Sequence, residues 1–195
     1  MRKYVRSGAC VCALAWGVGL GLPLAAQDEA DPMAAMMKLA APGEHHRHMA
    51  KLAGEWKAVS KMWLDPAAAP VESTGTMQLT PILGGRFMQS QYKGPLMGME
   101  FNGIGLDGFD NQKQKHIGLW VDNMGTMMMT FEGACSDGGK VTTTMSDFVD
   151  PASGQATTMK SVTTMIDDKK FMFEGFARPA SGGEFFKTME ITYTR

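Results

Sequence analysis

From Gly54 onward, apolar and polar residues alternate in one short segment after another, and this pattern restricts the fold more than any other feature of the sequence. Successive side chains of a β-strand point to opposite faces, so alternation with a period of two predicts half-buried strands. About ten such segments follow one another, separated by short turns such as "SDGG" and "PASG". No helical pattern interrupts them, which excludes parallel crossover connections and predicts an all-β antiparallel fold.

Sequential antiparallel hairpins in this number usually close on themselves, because closure removes exposed strand edges. We therefore predict an up-and-down β-barrel over residues 43–195, with a short helix in "GEHHRHMAKLAG" capping one end. In a barrel with an even number of strands, the first and last strands are antiparallel neighbours. This arrangement brings Trp56 close to Arg195, and it predicts a cation–π closure contact of about 0.5–2 kcal/mol.

The residues before the predicted barrel have a different composition. Residues 1–26 combine a basic start, an apolar stretch and small residues before a polar segment, which is typical of a secretory signal peptide cleaved after Ala26. The apolar stretch is short and is interrupted by glycines and Pro23, which argues against its retention as a membrane helix. We therefore expect no membrane span after signal removal. The expected location is periplasmic or secreted. Residues 27–42 are predicted to form a mobile arm or a short helix.

Cysteine and charge content further restrict the class of protein to which this chain can belong. Removal of residues 1–26 leaves Cys135 as the single cysteine, so no internal disulfide can form. The formal net charge of the chain is −1 and the sequence contains no basic run, which argues against a nucleic-acid partner. No cofactor is predicted, and the sequence leaves the oligomeric state open.

Several segments carry a family resemblance. "LAGEWK" places Gly-x-Trp at the entry to the first strand, which resembles the calycin signature of lipocalins and fatty-acid-binding proteins. Together with "ILGGRFMQSQYKG", "FNGIGLDGFDNQKQKH", "WVDNMGTMMMT" and "FKTMEITYTR", it resembles the bacterial family of unknown function DUF1579 from about Pro42 to Arg195. The resemblance implies a lipocalin-like barrel and agrees with export, but it implies no activity. This chain differs mainly in His46, His48 and its methionine content.

The methionine run after the "NMG" turn contributes to a candidate binding site. Strand alternation puts Met127, Met129 and Phe131 on an apolar face that should point into the barrel, and it puts Met128 on the outer face. Methionine fills irregular apolar gaps and adaptable pockets, so we interpret the inner residues as core or pocket lining. A soft metal ion such as Cu(I) is the alternative for these thioethers.

Two further strands contribute candidate ligand contacts. Trp120 and Asp122 share a face with His116, and periodicity alone does not decide whether that face is the inner one. If it is, Asp122 needs a partner, and we expect Arg86 to supply it. If it is not, Asp122 supports the adjacent turn. On the strand that contains Arg86, every second residue should face the interior. The candidate ligand contacts on that face are Arg86, Met88 and Tyr92.

The histidines of the predicted capping helix suggest a metal site. Helical spacing puts His45 and His48 on the face that packs against the barrel, whereas His46, Arg47 and Lys51 should face away. Two histidines three residues apart can bind Zn²⁺ or Cu²⁺, with His116 as a conceivable third ligand. Hydrogen-bonded histidines that cap the barrel end are the competing interpretation.

Together these patterns favour an exported barrel that binds a small apolar or amphipathic molecule in its interior. The alternatives are a copper- or zinc-handling protein that uses its His and Met residues, and a structural or interaction domain with a filled barrel. The sequence contains neither a Gly-x-Ser-x-Gly elbow nor a phosphate-binding loop. Glu44 and His45 could act as an acid–base pair, but no nucleophile is evident. The sequence thus favours a non-enzymatic role without deciding the question.

Overall fold

The computed structural model describes residues 31–151 and 153–195, which form a closed antiparallel barrel. The predicted signal peptide, residues 1–26, lies outside the described residues. The strands are β1 (Gly54–Met62), β2 (Val71–Ile82), β3 (Phe87–Leu96), β4 (Met99–Asp110), β5 (Lys115–Asp122), β6 (Met129–Ser136), β7 (Val141–Val149), β8 (Ala156–Asp167), β9 (Lys170–Pro179) and β10 (Phe186–Thr194).

The strands follow each other around the barrel in chain order, and β1 closes it by pairing with both β2 and β10. The closing register aligns Lys57 with Thr194 and Met62 with Met189. Short 3-10 turns at Leu83–Gly85 and Asp137–Gly139 link β2 to β3 and β6 to β7. The predicted ten-stranded up-and-down barrel is therefore confirmed.

Helix α1 (Pro32–Ala40) lies in the predicted arm and is exposed along its whole length. Asp31 caps it by accepting a hydrogen bond from the backbone N–H of Met33 at 2.9 Å. At the C-terminal end of α1, the Asn111 side chain donates to the carbonyl oxygens of Leu39 and Ala41. These bonds hold the chain against the β4–β5 turn. In the described part of the chain, no helix is long and apolar enough to cross a bilayer.

Helix α2 (Glu44–Ala50) lies at the barrel end formed by the start of β1 and the β4–β5 turn. The prediction that His46 faces away is wrong, since its side chain is only 5% exposed. The helix begins at Gly43, which offers no side-chain cap, and the Nδ1 atom of His46 accepts the Gly43 N–H at 2.9 Å instead. This capping bond turns the ring inward, where it meets Phe109 edge to face.

Below α2 the barrel is filled by a cluster centred on Trp56, which is 1% exposed. Its indole N–H donates to the carbonyl oxygen of Leu52 at 2.8 Å. Phe171 meets the indole edge to face and stacks on Tyr193. Arg195 covers Trp56 from outside the cluster, with its guanidinium carbon 4.2 Å from the ring centroid. This cluster thus packs the interior where β1 and β10 close the barrel.

Candidate ligand-binding cavity

The rest of the interior is hollow, with a cavity of about 550 Å³ along the barrel. Met49 and Leu52 mark its end near α2, and Met97 and Met124 mark the opposite end. Met97 and Met124 line the cavity although they are 52% and 47% exposed, so the cavity reaches the surface between the β3–β4 turn and the β5–β6 loop. The hollow therefore has an entrance at the end of the barrel away from α2.

The cavity wall is mainly apolar and deformable. Methionines come from most of the surrounding elements, and thioether side chains adapt to ligands of different shape. They are Met49, Met62, Met77, Met88, Met97, Met124, Met129, Met159 and Met189. Aromatic side chains form the flatter parts of the wall, and those on neighbouring strands β3, β4 and β5 are Tyr92, Phe101 and Trp120.

Two glycines of β4 make room for Trp120. A Cβ atom on Gly103 would lie 2.0 Å from the Trp120 ring, and one on Gly105 would lie 2.3 Å from the Ser90 Oγ. Without side chains at these inward positions, the indole lies flat over the backbone of β4, in register with Gly105. The segment "GIGLDG" thus shapes the cavity wall.

Asp122 fixes the orientation of this indole. One carboxylate oxygen accepts the Trp120 Nε1–H at 3.0 Å, and the other accepts the Met124 N–H at 3.0 Å. Trp120 therefore faces the interior, and Asp122 at the same time supports the adjacent turn, although the sequence presented these as alternatives. The expected Arg86–Asp122 pair is wrong. Arg86 is exposed beyond the 3-10 turn, where its guanidinium donates to the carbonyl oxygens of Ala40 and Leu83.

The methionine run divides between the loop and strand β6. Met129 and Phe131 line the cavity, as the alternation predicted. Met128 is exposed, also as predicted. The prediction for Met127 is wrong, because β6 begins only at Met129 and Met127 lies in the preceding loop with 44% exposure. Strand alternation does not apply to a residue outside the ladder.

Asp107 is a cavity residue that sequence reasoning missed. It lies on β4 in register with Met88 of β3 and Gly118 of β5, and its carboxyl group faces the cavity. Among residues 31–151 and 153–195 no ion pair engages it. Burial away from water raises its pKa from 3.8 to about 7. The available signal was its two-residue spacing from Gly105, which places it on the inner face.

A smaller cavity of about 230 Å³ lies beside α2, on the other side of His116. His45, His48 and Cys135 also line it. The predicted pair of His45 and His48 does not converge, since His48 lies against Gly139 and 3.7 Å from the Glu44 carboxylate. The group that does converge is His45, His116 and Cys135, whose ligand atoms lie within 4.8 Å of one another.

His116 is the most enclosed member of this group, with 9% exposure. Burial, and to a smaller extent the neighbouring histidines, lower its pKa from 6.5 to about 4. The imidazole is therefore neutral near neutral pH. Burial also lowers the pKa of His46, which lies on the same helix as His45.

The fold and its cavity define a class: a small up-and-down β-barrel protein with a hollow, mainly apolar interior. Within that class, the chain belongs to the family described as "Protein of unknown function (DUF1579)", whose profile matches residues 41–195. No curated protein matches the sequence.

Several solved structures align with this chain at low sequence identity. Rv2717c from M. tuberculosis aligns with a TM-score of 0.56 and 12% identity over 80% of this chain and 99% of that chain. A redesigned β-barrel, b11L5F_LGL, aligns with a TM-score of 0.41 and 16% identity over 76% and 95% of the two chains. EF1p2_mFAP2b bound to DFHBI aligns with a TM-score of 0.43 and 12% identity over 78% and 99%. The similarity to Rv2717c concerns the fold alone.

Proposed function

We propose that this protein binds a small, elongated apolar or amphipathic molecule inside the barrel. The observation that carries the proposal is the hollow of about 550 Å³, which lies in the range of small-molecule sites. A barrel that served only as a structural unit would gain stability by filling this space, since empty apolar volume destabilises a core.

The lining indicates the chemistry of the ligand. Methionine and aromatic walls suit an apolar body, and the exposed methionines at the entrance, Met97 and Met124, suit its passage. The carboxyl group of Asp107 lies in the wall without an ion-pair partner among the described residues, whereas Asp122 accepts hydrogen bonds from Trp120 and Met124. Asp107 lies close to the α2 end of β4, so a ligand with one hydrogen-bonding or basic group at its inner end would satisfy it, because a buried polar group without a partner is costly.

The location remains a proposal from the sequence. A signal peptide in residues 1–26 would deliver the barrel to the periplasm or the medium. There a binding protein could carry or sequester a molecule that dissolves poorly in water.

The first experiment asks whether the protein carries such a molecule. Protein purified without detergent is extracted with organic solvent, and the extract is analysed by mass spectrometry against a mock purification. The emptied protein is then titrated with N-phenyl-1-naphthylamine, a neutral apolar dye that fluoresces when it leaves water. We expect saturable binding with a stoichiometry near one, because the proposal places the ligand in a single cavity.

A matched pair of variants places the dye. Ser73 and Thr74 are neighbours on β2, but Ser73 lines the cavity and Thr74 points outward. Ser73→Trp should fill part of the hollow and weaken dye binding by about tenfold or more, equivalent to about 1.4 kcal/mol. Thr74→Trp should bind like the wild type. Equal affinity of both variants, or no saturable binding by the wild type, would favour the filled-barrel alternative.

A further inference from the structure

The group of His45, His116 and Cys135 lies beside α2, and His116 is its single member that also lines the large cavity, so the group needs its own explanation. The three residues come from α2, β5 and β6. On the paired strands β5 and β6, His116 is opposite Gly133, and Cys135 follows on the same face of β6. Helix α2 then brings the His45 Nδ1 to 3.1 Å from the Cys135 Sγ. The fold thus assembles one thiol and two imidazoles from three separate elements.

Packing explains only part of this arrangement. The ring of His45 stacks on Phe109 at 3.9 Å and meets His116 edge to face at 5.4 Å. The contact between Cys135 and His45 can be an ordinary hydrogen bond. His116 has no comparable explanation, because its Nε2 atom is buried and has no hydrogen-bond partner among the described residues. A buried ring nitrogen without a partner costs about 1–3 kcal/mol, so it should persist only if something compensates for it.

The donor set is that of a thiophilic transition-metal ion. Zn²⁺ takes cysteine sulfur and histidine nitrogen at about 2.0–2.3 Å, and Cu(I) also favours thiolate with imidazole. Ligand atoms that lie within 4.8 Å of one another can surround one such ion after small side-chain movements. The adjoining cavity of about 230 Å³ leaves space for a fourth, non-protein ligand. Three protein ligands beside an open position are typical of zinc sites that bind an exogenous group.

We propose that His45, His116 and Cys135 form a binding site for a thiophilic transition-metal ion, Zn²⁺ or Cu(I), beneath helix α2. This site is separate from the proposed apolar ligand, although His116 forms part of the wall of both cavities. The sequence interpretation placed a metal on His45 and His48. Here His48 lies outside the group, and the thiol of Cys135 takes its place.

The test uses the full chain with Cys10→Ser and Cys12→Ser as the reference protein, reduced and stripped of metal, so that Cys135 is its single thiol. It is titrated separately with Zn²⁺ and with Cu(I), each against a competing chelator, and then with Co²⁺, whose absorption spectrum reports thiolate coordination directly. We expect one tight site and a thiolate-to-cobalt charge-transfer band. Cys135→Ser should remove the band, and each of Cys135→Ser, His45→Gln and His116→Gln should weaken binding by about tenfold or more, since even indirect supports of metal ligands are worth 10–100-fold.

His48→Gln is the matched control, because His48 lies on the same helix and lines the same cavity without joining the group. It should bind metal like the reference protein. Circular dichroism and thermal unfolding of each variant check that the barrel is intact. If His116→Gln does not fold, the conservative Cys135→Ser variant still decides the question, since serine replaces the thiol with minimal change in volume.

Alkylation gives an independent readout. Peptide mass spectrometry measures iodoacetamide labelling at Cys135 itself in the reference protein. We expect bound Zn²⁺ or Cu(I) to slow this labelling by about tenfold or more, because a coordinated thiolate is a poor nucleophile. Absence of a tight site in the reduced reference protein, or metal binding that survives Cys135→Ser in it, would overturn the proposal. Neither result would affect the dye titration of the large cavity, so the two proposals can fail separately.

Discussion

The guanidinium carbon of Arg195 lies 4.2 Å from the centroid of the Trp56 ring, and this contact joins the two strands that close the barrel. The same guanidinium donates hydrogen bonds to the backbone carbonyl oxygens of Ala53, Lys51 and Asp168. One side chain therefore links the segment entering β1, the β8–β9 turn and the last strand.

We expect Arg195→Ala to destabilise the barrel by about 1–2 kcal/mol, because it removes a cation–π contact together with three hydrogen bonds at an exposed position. For a protein of this size, the thermal midpoint should fall by about 2–8 °C. Arg195→Lys should recover only part of this loss, because an ammonium group lacks the planar fork that reaches several acceptors. Arg47→Ala, on the exposed face of α2, is the control and should leave the midpoint unchanged. A midpoint for Arg195→Ala equal to that of the control would show that closure does not depend on this side chain.

The closure was predictable because it depends on topology. Once ten hairpin-connected strands are counted, the beginning of the first strand must lie beside the end of the last, which brings Trp56 and Arg195 together. Strand alternation similarly predicted that Met129 and Phe131 line the interior. These inferences needed only the order of the strands and the period of two.

The flat position of Trp120 should depend on the missing side chain at Gly103. Gly103→Ala would put a methyl group 2.0 Å from the indole, so the ring must swing into the cavity and lose its bond to Asp122. We expect a loss of about 1–3 kcal/mol in unfolding free energy. The near-ultraviolet circular dichroism should also change, with Trp120→Phe as the reference that identifies the Trp120 signal. Gly125→Ala, where the nearest atom to a new Cβ is 3.9 Å away, should resemble the wild type. An unchanged spectrum for Gly103→Ala would mean that the indole does not rest on β4.

Lysine substitutions in the methionine run should have different effects in the loop and in strand β6. Met129→Lys places an ammonium group in the cavity wall, so it should abolish or strongly weaken binding of the apolar dye. Met127→Lys changes an exposed loop residue by the same chemistry and should leave the affinity within about twofold. Met129→Leu should fold and bind normally, because the two side chains have similar volumes. Equal effects of the two lysine variants would place Met127 in the wall after all.

Other parts of the site depend on structure that strand alternation does not encode. Arg86 was expected inside the barrel, but the preceding 3-10 turn places it before β3, where it donates to the backbone carbonyl oxygen of Ala40 at the end of α1. His46 was expected outside, but the missing side-chain cap at Gly43 draws it inward. The convergence of His45 with Cys135 involves residues far apart in sequence and requires the docking position of α2, which periodicity does not specify.

Asp107 should make the folded protein less stable as pH rises. Its pKa in the folded protein, about 7, lies above the ordinary value of 3.8, so the folded state holds a proton that the unfolded state has lost across this range. Stability therefore falls as pH rises from about 4 to 7, by up to about 4 kcal/mol at about 1.4 kcal/mol per pH unit. His116 acts in the opposite direction, because its pKa is lowered from 6.5 to about 4 and its contribution grows as pH rises through that range.

Asp107→Asn isolates the carboxyl contribution, because the difference between variant and wild type cancels that of His116. We expect the two proteins to have similar unfolding free energies near pH 4 and the variant to be more stable by several kcal/mol at pH 8, where the wild type must bury a carboxylate. Urea unfolding at a series of pH values measures this difference. Asp168→Asn alters an exposed carboxylate and should show no such trend. A difference between Asp107→Asn and wild type that does not vary with pH would mean that water or a bound group already stabilises the Asp107 carboxylate inside the cavity.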